Sequence, residues 1–396
     1  MRRRRRLTAR CICGDSVAAV SHAAASPTDC TCICFDNVAA VNLCCGAVRA
    51  VTFQAPGDVR LEERPDPEPA AADDAVVRVE ATGICGSDLH IYHGRVAIEP
   101  GFVIGHEYVG TVVAAGDAVS EVAVGDRVLG TYCTACGACF HCRRGEYHKC
   151  DSGRVFGHGA TLGSLQGTQA DMVLVPSANL TLRRVPEGLS NEVALFAGDV
   201  GGTGYHAICG DAALPEPLEP GATVAVLGLG PVGLCAVQVA KASGASEVVA
   251  VDTVEDRLRM AESFGGTPVH LTEQDPRARV KELTEGRGVD LSVDAVGHPD
   301  ALDLACRLAR KAGTVSVIGV YAERAEVHMG VVWIKALRWR TGHANVIGHL
   351  DRVLAMLSTG VIDPEPLVTH HMTLDEAPAA YEIYDRREAL KIVLTP

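Results

Sequence analysis

Residues 85–107 begin C-G-S-D-L-H-I-Y-H-G and close on G-H-E. Cys85 offers a soft sulfur and His106 a borderline nitrogen. Zinc takes both, along with carboxylate oxygen, and a catalytic zinc keeps one of its four positions open. Glu107 and Asp199 are the carboxylate candidates for such a set. Ser87 and His90 lie beside the first ligand and can move protons. Taken alone, Cys85 and His106 are just as readily a buried thiol and a core histidine.

A second cluster has a different character. Cys136, Cys139 and Cys142 recur at intervals of three, and Cys150 follows on the same loop. Four thiolates can close a tetrahedron about Zn²⁺, and a closed site leaves no position for a substrate, so it is structural. A disulfide cluster is the competing reading. Cys133 is the odd thiol and is read as unliganded.

The third signal is G-L-G-P-V-G at 228–233, after the apolar run 224–227 and at the head of a helical pattern. G-x-G-x-x-G alone is weak. Strand, turn and helix together, with Asp252 closing the next strand, make a dinucleotide fingerprint. The backbone can approach a pyrophosphate at Gly230, where the helix N-terminus favours negative charge. Gly228, Pro231, Val232, Gly233 and Arg257 join the cofactor-binding set. Asp252 can accept from ribose hydroxyls and would repel a 2′-phosphate, so NAD is expected over NADP. A metal, a proton path and a nucleotide site in one chain point to a redox enzyme.

The elements that must hold these residues fall into two textures. Short strands are expected over 47–53, 59–63, 75–81, 108–115, 127–131 and 171–175, punctuated by Gly-Asp turns, as in a small barrel-like β domain. A helical pattern over 191–196 leads to Asp199. From residue 223 strand and helix alternate: strands over 224–227, 248–251, 290–294 and 314–318, with helices over 232–242 and 254–264. That alternation predicts a doubly wound parallel sheet. A helix over 350–358 and a strand over 392–394 are expected to pack back on the β domain.

The chain has 396 residues, 47% hydrophobic and 21% charged, enough for two cores. A net charge of −13 argues against a nucleic-acid surface. The longest apolar run, 223–240, is broken by glycines and Pro231 and does not read as a membrane span. Residues 1–47 hold an arginine run and seven of the 16 cysteines, without lasting periodicity. They read as a disordered extension or as no part of the fold. A targeting peptide, a metal-binding tail and an upstream translation artefact are the alternatives, and Asp15, Asp29 and Asp36 weigh against an organellar signal. The metal-type spacing of the other cysteines suggests a reducing, cytoplasmic compartment.

From residue 48 onward the sequence resembles the zinc-dependent alcohol dehydrogenases of the medium-chain dehydrogenase/reductase superfamily. G-I-C-G-S-D-L-H, G-H-E, the four-cysteine lobe and G-L-G-P-V-G occur in that family's order. The resemblance implies an α/β fold: a GroES-like catalytic domain over 48–199 with its zinc lobe at 133–150, a Rossmann NAD-binding domain over 200–343, and a return to the catalytic domain over 344–396. It implies Cys85, His106 and Asp199 as catalytic zinc ligands, with Glu107 as a carboxylate that can visit the metal. Ser87 and His90 match a proton relay, and Thr203, Ile318, Gly319 and Val320 match positions beside the nicotinamide. Val96, Tyr132 and Val320 match the substrate pocket. The implied reaction moves a hydride between a primary or secondary alcohol and NAD, with zinc as Lewis acid. Family members are dimers or tetramers. Polyol, amino-alcohol and glutathione-linked formaldehyde dehydrogenases share this machinery. A non-enzymatic zinc protein is the reading from another class, and the nucleotide fingerprint argues against it. A zinc-free quinone reductase would not need Cys85, His106 or the cysteine lobe.

Overall fold

Strong alternation and β-branched residues build the first part of the chain. Its strands are β1 (Val48–Ala55), β2 (Asp58–Arg64), β3 (Ala75–Ile84), β4 (Phe102–Val103), β5 (Tyr108–Ala115), β6 (Arg127–Gly130), β7 (Met172–Val175) and β8 (Leu182–Arg184). Between and after them lie the short helices α1 (Asp88–Tyr92), α2 (Ala178–Thr181), α3 (Asn191–Leu195) and α4 (Val200–Cys209). This computed structural model describes residues 47–396. The arginine run and the seven early cysteines of the proposed extension lie outside the described residues.

Next come β9 (Thr223–Leu227), α5 (Pro231–Ala242), β10 (Glu247–Asp252), α6 (Glu255–Ser263), β11 (Thr267–His270), α7 (Pro276–Leu283), β12 (Val289–Asp294), α8 (Pro299–Leu308), β13 (Ala309–Val317), α9 (Met329–Lys335) and β14 (Arg338–Thr341). The strands form one parallel sheet in the order β11-β10-β9-β12-β13-β14. Val224 pairs in register with Val248 on one side and Leu291 on the other. The strand order reverses at β9, and the crevice beyond its carboxyl end is where a doubly wound sheet binds ligands. Val224, Ala225 and Val226 are fully buried because helices cover both faces.

The chain then returns through α10 (Val346–Ser358), β15 (Val368–Thr373), α11 (Ala377–Asp385) and β16 (Lys391–Thr395). β16 pairs antiparallel with β3, in the sheet β15-β16-β3-β5-β6-β8. One apolar cluster joins α4, α5 and α10 to β9 and β10. Five strands escaped the sequence reading, among them β4 and β8, which are only two and three residues long. β11 carries Pro268, β14 is largely exposed with two arginines, and β15 contains His370 and His371, so none shows a clean apolar pattern.

Candidate active site

β3 and β5 run antiparallel with Thr82 opposite Tyr108. Cys85, just past β3, therefore meets His106 and Glu107, just before β5, at one end of the sheet. Asp199 arrives from another direction, at the head of α4. Gly198 before it packs so closely that a Cβ would stand 2.2 Å from the Gly130 carbonyl oxygen, so no larger residue fits that turn. Asp199 Oδ2 lies 3.4 Å from Cys85 Sγ and 3.3 Å from His106 Nε2. Cys85, His106, Glu107 and Asp199 each offer a ligand atom within 4.8 Å of the others. Ligands on zinc bonds of 2.0–2.3 Å in a tetrahedron stand roughly 3.5 Å apart. The donor types and spacings fit zinc.

The charges are balanced by two residues that the sequence reading passed over. Asp88 is fully buried, lies 3.1 Å from His106 Nδ1, and accepts the Cys85 N–H at 2.9 Å. It fixes the ring so that Nε2 faces the cluster, as carboxylates behind metal-binding histidines do. Its place inside C-G-S-D, three residues after a ligand, was the available signal. Lys391 is the second. Its ammonium, fully buried at the head of β16, binds the Glu107 carboxylate, donates to the Ile84 carbonyl at 3.1 Å, and lies 5.9 Å from the Phe196 ring centroid. A lone cation opening an apolar strand was its only trace.

Burial opposes charge throughout the cluster. It pushes the Cys85 thiol up, reinforced by Asp199. It acts against protonating His106 too, but Asp88 and Cys85 outweigh it and hold the imidazole well above its usual value. For Asp199 burial is outweighed by the bond and charge of His106, leaving its pKa at about 2. A cation bound here would reverse the penalty on the thiolate.

Ser87 Oγ stands 3.4 Å from His106 Nε2. His90, one turn along α1, is half-buried with its Nδ1 unpartnered, and burial lowers its pKa. Among the described residues the two side chains share no hydrogen bond; only the His90 N–H reaches the Ser87 carbonyl, at 3.1 Å. His158 is buried. Its ring packs 5.2 Å from that of His106, and Nδ1 donates to the Phe156 carbonyl at 2.8 Å. His141 and His371 pair with Glu146 and Glu192.

In the cysteine lobe, Cys136 and Cys142 sulfurs lie 4.0 Å apart, as do those of Cys139 and Cys150. Zn–S bonds of 2.3 Å in a tetrahedron put sulfurs about 3.8 Å apart. Backbone N–H groups of Cys136, Ala138 and Cys142 point at Cys150, Cys136 and Cys139 sulfurs. The Cys142 N–H holds the Cys139 thiol down at about 6. Cys133 is buried and stands outside this group.

At the crevice of the parallel sheet, a Cβ on Gly230 would meet nothing within 4 Å, whereas one on Gly233 would lie 1.9 Å from the Gly228 carbonyl oxygen. Gly233 lets α5 pack on the turn, and Gly230 leaves bare backbone facing open space. Pro231 and Val232 open α5, with Pro231 at its first turn. Asp252 Oδ2 accepts from Leu229 N–H at 2.6 Å, and Oδ1 accepts from Thr253 and Val254 N–H. Arg257 stands 3.9 Å from the same carboxylate. Asp252 thus also braces the glycine turn. Ile318 and Gly319 donate to the Asp294 carbonyl, leaving Val320 half-exposed beyond β13. Thr203 follows Asp199 by one turn, its N–H on the Asp199 carbonyl at 2.7 Å. Tyr132 is buried, with its hydroxyl donating to the Ala344 carbonyl at 2.8 Å; Val96 packs against the apolar cluster around Ile91.

Comparison with known proteins agrees with this geometry. The family model for the alcohol dehydrogenase GroES-like domain matches residues 71–187, and that for zinc-binding dehydrogenases matches residues 231–358. A Mycobacterium tuberculosis protein named "Probable zinc-binding alcohol dehydrogenase" is 37% identical over 354 residues, 88% of this chain and 89% of that protein. The solved alcohol dehydrogenase TADH from Thermus sp. ATN1 is 43% identical, with a TM-score of 0.83 over 88% of this chain and 99% of its own. A Sinorhizobium meliloti structure described as a zinc-binding dehydrogenase bound to NADP is 29% identical, with a TM-score of 0.77 over 88% and 99% of the two chains. The chain belongs to the zinc-dependent alcohol dehydrogenase family of the medium-chain dehydrogenase/reductase superfamily. It is an enzyme of alcohol oxidation and reduction that uses zinc and a nicotinamide cofactor.

Proposed function

We propose that the chain interconverts a small primary or secondary alcohol and its aldehyde or ketone, with NAD as the cofactor. The observation that carries this is the largely buried cluster of Cys85, His106, Glu107 and Asp199, with Asp199 one helical turn from Thr203. When bound, zinc supplies Lewis acidity and the nicotinamide exchanges hydride. The protein's own residues orient and deprotonate. Cys85, His106 and Asp199 hold the metal; Glu107, tethered to Lys391, stays beside it. Ser87 takes the hydroxyl proton, and His90 would return it to solvent once a bound cofactor's ribose bridges the two side chains. Ile318, Gly319 and Val320 face the nicotinamide, and Val96, Tyr132 and Val320 bound the substrate.

The preference for NAD rests on Asp252, whose carboxylate faces the ribose with Thr253, not a cation, next in line. Cys136, Cys139, Cys142 and Cys150 hold a second, structural zinc. The domains run over 48–199 with 344–396, and over 200–343. A second copy docks on α9 and the open edge of β14, where Met329, Trp333 and Ile334 are 64%, 80% and 70% exposed. None of the nine described cysteines is in a disulfide, which suits a reducing, cytoplasmic setting. No helix among the described residues is long and apolar enough to cross a membrane.

The test is turnover of primary, secondary and polyhydric alcohols with NAD and with NADP, read from reduced-nicotinamide absorbance. Turnover with higher kcat/KM for NAD is expected. Equal efficiency with both cofactors discards the NAD assignment, and no turnover of any alcohol discards the dehydrogenase reading.

A further inference from the structure

The turns after β9, β12 and β13 meet at the carboxyl ends of the parallel sheet, and Asp294 ties two of them together. It is the last residue of β12, fully buried, and pairs in register with Leu227 on one side and Val317 on the other. Its Oδ1 accepts from the Val296 and Gly297 N–H groups at 2.9 and 3.1 Å, an Asx turn that folds the chain after β12. Its carbonyl accepts from the Ile318 and Gly319 N–H groups, just past β13. Its Oδ2 accepts from the Tyr321 hydroxyl.

The two turns touch backbone to backbone. A Cβ on Gly319 would stand 2.1 Å from Gly297 N, and one on Gly297 would stand 2.3 Å from the Val320 carbonyl oxygen. On the other side, a Cβ on Gly228 would stand 2.6 Å from Val296 Cγ2. The wall of the crevice is thus continuous from the glycine turn to Val320. Beyond Gly319 the chain has little to hold it. Among the described residues no N–H from Val320 to Val327 finds a protein acceptor, and Tyr321 is the sole hydrogen-bonding side chain of that segment. Its hydroxyl carries one proton. The His298 carbonyl lies 3.1 Å away as well, but the carboxylate is the stronger acceptor. Burial and then the bond to Asp294 raise the pKa of the phenol, so it stays a donor. The ring itself packs against the apolar cluster of β12, β13 and α8.

We propose that Asp294 and Tyr321 are positioning residues for the nicotinamide, with the bond between phenol and carboxylate holding Val320 at the crevice. The inference rests on the reading that Ile318, Gly319 and Val320 face the nicotinamide. The two side chains act through the backbone they fix. A brace that only joined β12 to β13 would affect stability, and would not discriminate between ligands with and without a nicotinamide.

The test measures binding of NADH and of ADP-ribose, which lacks the nicotinamide, to the zinc-loaded full chain by titration calorimetry. A hydrogen bond to a charged group shifts an equilibrium by roughly one to two powers of ten, and the Tyr321 ring keeps its packing when the hydroxyl is removed. Tyr321→Phe should therefore weaken NADH by about 10-fold and change ADP-ribose by less than about 2-fold. Made on top of Asp294→Asn, the same change should cost less than it does alone, because the acceptor it served is already weakened. If Asp294→Asn does not fold, Tyr321→Phe decides by itself. Val320→Trp checks the underlying reading, and should weaken NADH while sparing ADP-ribose. Equal loss of both ligands in Tyr321→Phe, or loss of neither, with Val320→Trp selective, overturns the inference and leaves that reading standing. A Val320→Trp variant that does not discriminate between the two ligands overturns the reading, and the inference with it.

Discussion

Replacing Lys391 with Met removes one charge but disturbs three segments. The ammonium holds the carbonyl next to Cys85, the carboxylate next to His106, and the face of Phe196, which leads to Asp199. Both members of the Lys391–Glu107 pair have side chains only 1% exposed. Breaking a buried pair from one side leaves an uncompensated charge and costs about 3–5 kcal/mol. For a chain of this length that is a fall in melting temperature on the order of 4–6 °C. The double variant Lys391→Met/Glu107→Gln removes both charges and should recover much of the loss, because neutral replacements of a buried pair are often tolerated. Thermal unfolding of both variants and of Glu107→Gln closes the cycle. If Lys391→Met unfolds no earlier than the double variant, charge compensation is not what Lys391 provides, and the reasoning fails.

Asp88→Asn should weaken zinc binding at the Cys85–His106–Asp199 site by about 10-fold to 100-fold with the fold retained, measured by competition with a chromophoric chelator. Cys142→Ser should lower the melting temperature through loss of the closed four-sulfur site, whereas Cys85→Ser should spare the fold and abolish turnover; one zinc per chain in fully active enzyme would contradict this pair. Acid should destabilise the contact between α4 and α10. There His206 and His349, 3.3 Å apart and packed with His148, Asp211, Arg340 and Arg352, are lowered by burial to about 3 and about 4. An unfolded imidazole titrates near 6.5, so below about pH 6.5 the unfolded chain takes up protons that the folded one refuses. Stability is thus full above that pH and falls as pH drops toward 4, and His349→Gln should flatten the decline measured by urea unfolding. An unchanged slope in that variant would point to other groups.

Residues that announce themselves by type were legible without coordinates. Four cysteines on one loop and a glycine turn after an apolar strand each carry their chemistry in local spacing, and the structure brings each set together. What stayed hidden depends on pairing across the fold. Asp88 drew no assignment from the sequence, and its role appeared only when β3 and β5 were aligned. Lys391 could not be tied to Glu107 without knowing that β16 lies against β3. The arginine-bearing β14 and the histidine-bearing β15 belong to sheet edges, where one face need not be apolar. His158 gives no local sign in the sequence that it lies buried against His106.

The pairing of β16 with β3 also orders events in time. Ile84 and the lysine that grips its carbonyl are 307 residues apart. At the usual 5–20 residues per second of synthesis, Cys85 and its neighbours wait roughly 15–60 s for Lys391 to be made. Until then the Thr82–Ile84 end of β3 has an open edge and Glu107 lacks its counter-ion, whereas the last strand of the parallel sheet is synthesised by residue 341, ahead of Lys391. The nucleotide-binding half can therefore be born complete while the metal centre is still being finished. A nascent chain halted before Lys391 should bind to an immobilised nicotinamide adenine dinucleotide resin before it acquires the high-affinity catalytic metal site.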